Sequence, residues 1–338
     1  MPHAFSDDPM IGNQRIVDFL TSVRTRQLLH HAFLFFGPAH VGKSYLARLF
    51  CQAILCSSPA TSGIAGCGAC QSCQALHRQV HPDFVHLERL EDSESGKQKT
   101  QISIAQVRQL QTALDLRPFY DGYKVALIQD ADTLSSEATN ALLKTLEEPA
   151  GKSVIILVCN ALGSVPATIR SRCQLAEFTP VSFQEMLHGL TQRGFGASQT
   201  AQAAGLAMGR PGLALRFLET PEAYEAQLAK LDELLAAIAA PLEQRFALIQ
   251  RVLQRSDARA AVEMLAGWRR IFRDMLLLRT GNSAYLTVPA RHQELQTLAG
   301  RYALVRLAGI LGRIDTIARY LDANVNPRLA MENVALSF

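Results

Sequence analysis

HAFLFFGPAHVGKS, residues 31–44, is the stretch that decides the fold. Its first half is a continuous apolar and aromatic run, the character of a strand buried on both faces. The turn Gly37-Pro38-Ala39-His40-Val41-Gly42-Lys43-Ser44 then satisfies GxxxxGK[ST] in full, and KSYLARLFCQAIL at 43–55 reads as the helix that follows. Strand, glycine-rich turn and helix N-terminus in that order cradle phosphate. The turn amides and the helix dipole present fixed partial positive charge to anionic oxygens. Lys43 is placed to reach the outer phosphates of ATP, and the Ser44 hydroxyl to ligate Mg²⁺. The bland alternative is a glycine-rich turn without a ligand, and the strand–helix setting argues against it.

Four more short runs lie downstream: PDFVHLE at 82–88, KVALIQD at 124–130, SVIILVC at 153–159 and a weaker QLAEF at 174–178. They alternate with helical patterns, which predicts an α/β domain with a parallel sheet covered by helices on both faces. A phosphate site of this kind takes an acid from the end of another buried strand. Asp130, after KVALIQ, is the residue chosen to hold the Mg²⁺ water shell. The next residue is Ala131, where a hydrolysing enzyme usually carries Glu, and Asp132 lies one further with a different side-chain direction. Nucleotide binding is expected; efficient hydrolysis is not.

Past residue 180 the pattern becomes helical. SFQEMLHGLTQRG and ASQTAQAAGLAMGR read as short helices ending near glycine. Longer amphipathic stretches follow Pro221, among them YEAQLAKLDELLAAIAAPL, ARAAVEMLAGWRRIFRDMLLLR and LVRLAGILGRIDTIARYL. Leu and Ala recur there at three- and four-residue spacing, as in a helical bundle. Expected domains are 1–180 (α/β), 181–220 (small helical lid) and 221–338 (helical). The polar segment EDSESGKQKTQ at 91–101 is expected to be a loop.

Of 338 residues, 48% are hydrophobic and 19% charged, which excludes an intrinsically disordered chain. A formal net charge of +4 is too small to argue by itself for nucleic acid. The N-terminus MPHAFSDDPM has no basic and apolar regions of a secretory signal, and no apolar run reaches the length of a membrane span. The expectation is a soluble cytoplasmic protein with no membrane partner.

Seven cysteines in a reducing compartment would stay reduced. Cys56, Cys67, Cys70 and Cys73 crowd into 56–73, with CGACQSC giving two overlapping CxxC units. Four thiolates complete a tetrahedral Zn²⁺ shell with no open position, so such an ion is structural. Free thiols and a redox CxxC are the competing readings, and spacing alone leaves an Fe–S cluster open. His77 and His81 lie close by and read as ordinary surface histidines.

Taken together, GPAHVGKS, the CGACQSC insert, ISIAQVRQL at 102–110, ALLKTLEEP at 141–149 and ATIRSRC at 167–173 resemble the clamp-loader branch of the AAA+ ATPases. Within it they resemble the delta-prime branch of bacterial DNA polymerase III subunits. The resemblance covers the first half to two-thirds of the chain. It implies a RecA-like domain, a lid and a C-terminal collar that joins five subunits, tau/gamma and delta among them, in a ring that places a sliding clamp on primed DNA. By the same resemblance Asn160, in VCNALGSVP, matches the sensor-1 position. Arg172, in the Ser171-Arg172-Cys173 triplet, matches an arginine finger that reaches a neighbouring subunit's nucleotide. Gly212 stands where motor subunits carry a sensor-2 Arg, and Arg210 is no substitute.

The leading expectation is a largely non-hydrolysing stator subunit. Its rivals are an active tau/gamma-like ATPase and an unrelated P-loop kinase, which leaves LLKTLEEP and SRC unexplained. For Arg172 the plain alternative is a surface arginine at a helix end. Glu147-Glu148 before Pro149 reads as a solvated helix end, and Trp268-Arg269-Arg270 as a core aromatic beside a solvated face.

Overall fold

The computed structural model describes residues 9–58, 63–91, 99–120, 122–149, 151–253, 258–288, 291–322 and 325–338. Most of the loop expected at 91–101, namely 92–98, and the first eight residues lie outside that set. Five parallel strands form one sheet: β1 (Ala32–Phe36), β2 (Phe84–Leu87), β3 (Lys124–Ile128), β4 (Ser153–Cys159) and β5 (Gln174–Glu177), in the order β2-β3-β4-β1-β5. Each of the five runs picked out in the sequence is a strand. The sheet is interleaved with α1 (Gln14–Thr25), α2 (Lys43–Leu55), α3 (Gln71–His77), α4 (Ile104–Asp115), α5 (Ser136–Glu147) and α6 (Ala167–Arg170).

Period-two alternation sorts the central strands between two cores. Phe33, Phe35, Val125, Leu127, Val154, Ile156 and Val158 pack on one side with Leu46, Ala47 and Phe50 of α2. Ala32, Leu34, Ala126, Ile128, Ile155, Leu157 and Cys159 pack on the other with Val107 and Leu110 of α4 and Leu142 and Leu146 of α5. The chain divides into two compact units, one of 1–194 with 209–213, the other of 195–208 with 214–338. α7 (Phe183–Gln192) falls in the first. The second holds α8 (Ala197–Ala207), most of α9 (Pro211–Glu219), and α10 (Pro221–Ala239), α11 (Leu242–Val252), α12 (Ala258–Arg279), α13 (His292–Ala299), α14 (Leu304–Asp322) and α15 (Pro327–Ala335). α12 packs against α10, α13, α14 and α15. Its buried Trp268 and Phe272 meet the Phe338 ring at 5.0 and 4.8 Å between centroids. Arg269 stays exposed and pairs with Asp315, but Arg270 is buried and its Nε donates to Met208 Sδ. The face beside Trp268 is therefore only partly solvated.

His81 corrects the surface assignment made for it: it is only 5% exposed. Ser72 Oγ donates to the Leu55 carbonyl at 2.6 Å, which uses its one proton. At 2.7 Å, His81 Nε2 must therefore be the donor to Ser72, while its Nδ1 accepts from the Asp83 amide at 3.0 Å. The ring is thus neutral, with the proton on Nε2. Asp83 in turn accepts from the amides of Phe119 and Tyr120 and from Lys124 Nζ. One buried network ties the end of α2 and the cysteine-bearing α3 to the starts of β2 and β3.

Burial holds the His81 pKa below its usual 6.5, the Asp83 charge opposing and the Lys124 charge assisting. A folded-state pKa below the unfolded value means the unfolded chain binds more protons in mild acid. The stabilisation is complete above pH 6.5 and is lost as pH falls from there toward the depressed value. Urea denaturation midpoints are expected to fall between pH 7 and pH 5, and His81→Gln to flatten that fall while costing about 1–3 kcal/mol at pH 7.

Candidate functional site

The phosphate-loop residues gather at the carboxyl ends of β1, β3 and β4. Gly37 has φ +141°, and a Cβ there would collide with the Phe178 carbonyl oxygen, so the turn out of β1 needs glycine. Gly42 has φ +99°, and a Cβ there would meet only the flexible end of Met10. Lys43 is 5% exposed. Its Nζ donates to Gly37 O and Pro38 O at 2.7 Å each and to Asn160 Oδ1 at 3.2 Å. Burial pulls its pKa down to about 8, against the pull of nearby Cys159, Asp132 and Asp130. Asn160, picked as sensor-1, is thus in contact with the loop lysine. Gly212 also lies against the loop: its amide donates to His40 O at 2.9 Å.

Asp130 is not where the sequence reading puts it. The residue beside Ser44 is Gln129, whose Oε1 accepts the Ser44 hydroxyl proton at 2.7 Å. The cause is strand parity. Val125 and Leu127 face α2, so the next residue on that face is Gln129, and Asp130 falls on the other side. Asp130 takes a left-handed backbone, φ +50°, and its Oδ2 accepts from Arg89 Nε at 3.2 Å and Nη2 at 3.0 Å. Counted from Gln129, the following residue is Asp130 rather than Ala131, and Ala131 is buried in the α4–α5 core. The alternation in KVALIQD carries this signal, although Asp130 is the only acid in the run.

Arg172 makes its contacts away from the loop. It lies just past α6, where Nη1 donates to Thr168 O at 2.9 Å and Nη2 to Glu147 Oε1 at 2.6 Å. Glu147, read as a solvated helix end, is half exposed but is the partner of Arg172. Nothing in the two separate motifs fixes their approach.

The cysteines come together as the spacing suggests. The Sγ atoms of Cys56, Cys67, Cys70 and Cys73 all lie within 4.8 Å of one another, so this cluster can hold a metal ion. A tetrahedral site with metal–sulfur bonds of about 2.3 Å has sulfurs about 3.8 Å apart; Cys56 and Cys70 are at 3.9 Å. The amides of Cys67, Cys70 and Cys73 donate to Cys56, Cys67 and Cys70 Sγ at 3.3–3.4 Å. At Cys73 burial, with Cys70 and Cys56 alongside, pushes the thiol up. At Cys70 burial opposes the charge, but hydrogen bonds from Ser57 and Cys73 outweigh it and bring the pKa to about 6. Gly66 is pinned against Cys73 Sγ and Gln52, where a side chain has no room.

A parallel sheet, a GxxxxGKS turn with its lysine buried at the strand ends, and a helical C-terminal region define an α/β P-loop protein. A family model described as "DNA polymerase III, delta subunit" matches residues 12–182, about half of the chain, and the chain belongs to that family. It is 39% identical over 143 residues to DNA polymerase III subunit delta' of Pseudomonas aeruginosa, a stretch covering 42% of this chain and 41% of that protein. It is 33% identical over 192 residues to the delta' subunit of Escherichia coli K12, covering 56% of this chain and 55% of the relative. The matched stretches thus span about half the length of these relatives. A gamma subunit-related protein from Thermotoga maritima superposes with a TM-score of 0.43 at 16% identity, over 94% of this chain and 97% of its own. Among the described residues no helix is long and apolar enough to cross a membrane.

The glycine geometry separates two substitutions. Gly37→Ala sets a side chain against backbone, and is expected to cost on the order of 2–4 kcal/mol. Gly42→Ala carries the strain of φ +99° but meets no backbone, only the flexible Met10, and is expected to cost less. Urea unfolding of the two variants measures the order; equal costs would contradict the close approach to Phe178.

Proposed function

We propose that this chain is a delta-prime-type clamp-loader subunit of a DNA polymerase III holoenzyme. It works beside tau/gamma and delta in a five-membered ring that places a sliding clamp on primed DNA. Residues 1–180 are its nucleotide-binding domain, 181–220 a lid and 221–338 the oligomerising collar. The loop of Gly37, Gly42, Lys43 and Ser44, with Asn160 as sensor-1, binds ATP without efficient turnover. Arg172 is donated to the nucleotide of a neighbour, and Cys56, Cys67, Cys70 and Cys73 hold one structural Zn²⁺.

The observation that carries the low-turnover reading is Gln129 against Ser44. A carboxamide cannot take a proton from water, and it brings no negative charge to a cation. The next acid, Asp130, is engaged by Arg89. Motor activity needs a carboxylate in this position and a water-positioning group after it. Family membership and the delta' relatives support the assembly reading.

The isolated chain is expected to hydrolyse ATP no faster than its Lys43→Ala variant. Robust turnover abolished by that substitution would point to a motor instead. In a reconstituted ring, Arg172→Ala is expected to leave assembly intact and to lower clamp- and DNA-stimulated hydrolysis by about tenfold or more, since trans-acting arginines contribute strongly to phosphoryl transfer. Lys at 172 is expected to rescue little, lacking the planar fork. Unchanged rates in an intact ring would return Arg172 to its local helix-end role. Elemental analysis of protein never exposed to chelator is expected to give one zinc per chain, and Cys70→Ser to lower it. Stoichiometric iron, or less than half an equivalent of zinc, would refute the zinc assignment.

A further inference from the structure

Sites with this loop ordinarily hold Mg²⁺ between phosphate oxygens, the loop Ser/Thr hydroxyl and an acid from the neighbouring strand. Mg²⁺ is a hard cation, reluctant to shed water, and one or two carboxylates usually help to keep it. Here the strand-end group is neutral. Gln129 Oε1 is occupied by the Ser44 hydroxyl proton at 2.7 Å. Its Nε2 is buried and has no hydrogen-bond partner, in a residue only 9% exposed. An amide donor left unmade in the interior is costly, so one standing beside a phosphate cradle has an evident acceptor to serve.

The surroundings favour an anion over a cation. Ser44 is the second residue of α2, a helix of thirteen residues whose N-terminus carries partial positive charge. The Lys43 ammonium lies in the same turn. Of the nearby acids, Asp130 is turned to Arg89 by two hydrogen bonds. Asp132 is the remaining one whose charge is felt at Lys43, and one of its oxygens is buried without a partner. It is the competing candidate for a metal.

We propose that this phosphate loop takes a nucleoside di- or triphosphate as the metal-free anion, with Gln129 Nε2 donating to a non-bridging phosphate oxygen where an acid-bearing site places Mg²⁺. The proposal rests on the reading that the loop binds nucleotide. Oε1 anchors the carboxamide on Ser44, which leaves Nε2 as the unused donor for the ligand. A hydrogen bond replaces a metal bridge.

Calorimetric titration of the full chain with ATP and with ADP, in excess EDTA and in excess magnesium chloride, tests it without any variant. Binding in EDTA is expected to be at least as tight as in magnesium, because chelation by Mg²⁺ removes the free anion. Magnesium that tightens binding by more than about twofold overturns the proposal but leaves the nucleotide reading standing. If that tightening disappears in Asp132→Asn, the metal belongs to Asp132. Absence of binding in both media overturns both. Binding in EDTA must be lost in Lys43→Ala, and its persistence there would place the ligand elsewhere and overturn the assignment. Gln129→Asp is expected to weaken binding in EDTA by about tenfold and to recover when magnesium is added, a charge being exchanged for a donor to a charged group. Gln129→Asp binding that is unchanged in EDTA would overturn the role of Nε2.

Discussion

Because β1, β3 and β4 are covered on both faces, every apolar side chain on them enters one of two cores, and the chain has no freedom to slip by one residue. A slip would move Val125 and Leu127 off α2 and push Ala126 and Ile128 into their place, exchanging every contact on the strand. The same parity continues past the last strand residue. It delivers Gln129 to the face where Ser44 begins α2, and sends Asp130 to Arg89. The chemistry of the phosphate loop is thus set by core packing several residues away from it.

Lys43 shows the electrostatic side of that constraint. An ammonium at 5% exposure must be met by oxygens, and three are supplied, two from the turn and one from Asn160 at the end of β4. Those bonds fold the turn back on its own lysine and couple β1 to β4 through a side chain as well as through the ladder. With a carboxamide at 129, the local charge around Ser44 is more positive than in a site with an acid there. An anion therefore gains more from this loop, and a divalent cation less.

Much of this was legible in the sequence. All five strands, the phosphate loop, the cysteine cluster and the helical second half follow from periodicity, spacing and turn residues. What escaped were relations between elements. Asp130 looked like the strand-ending acid because acids are what such sites use, yet the alternation in KVALIQD already assigned that face to Gln129. His81 reads as a surface histidine because four cysteines already complete the metal shell beside it. Its burial depends on Ser72, Leu55 and Asp83, which only the assembled fold brings around it. The Arg172–Glu147 pair joins two motifs 25 positions apart, and no local pattern records that distance.

That pair bears on how a donated arginine can be kept ready. Its side chains are 35% and 51% exposed, and an ion pair in water contributes at most about 1 kcal/mol. The Thr168 carbonyl adds one more acceptor and fixes the direction of the guanidinium along the end of α6. Such holding is enough to remove rotamer freedom before a partner arrives, and weak enough to be exchanged for a phosphate oxygen. A buried partner would have made the arginine part of this chain's own core, as happens to Arg270. In the proposed ring, Arg172 has to leave one anionic partner for another, and only an exposed, singly charged partner allows that exchange at low cost.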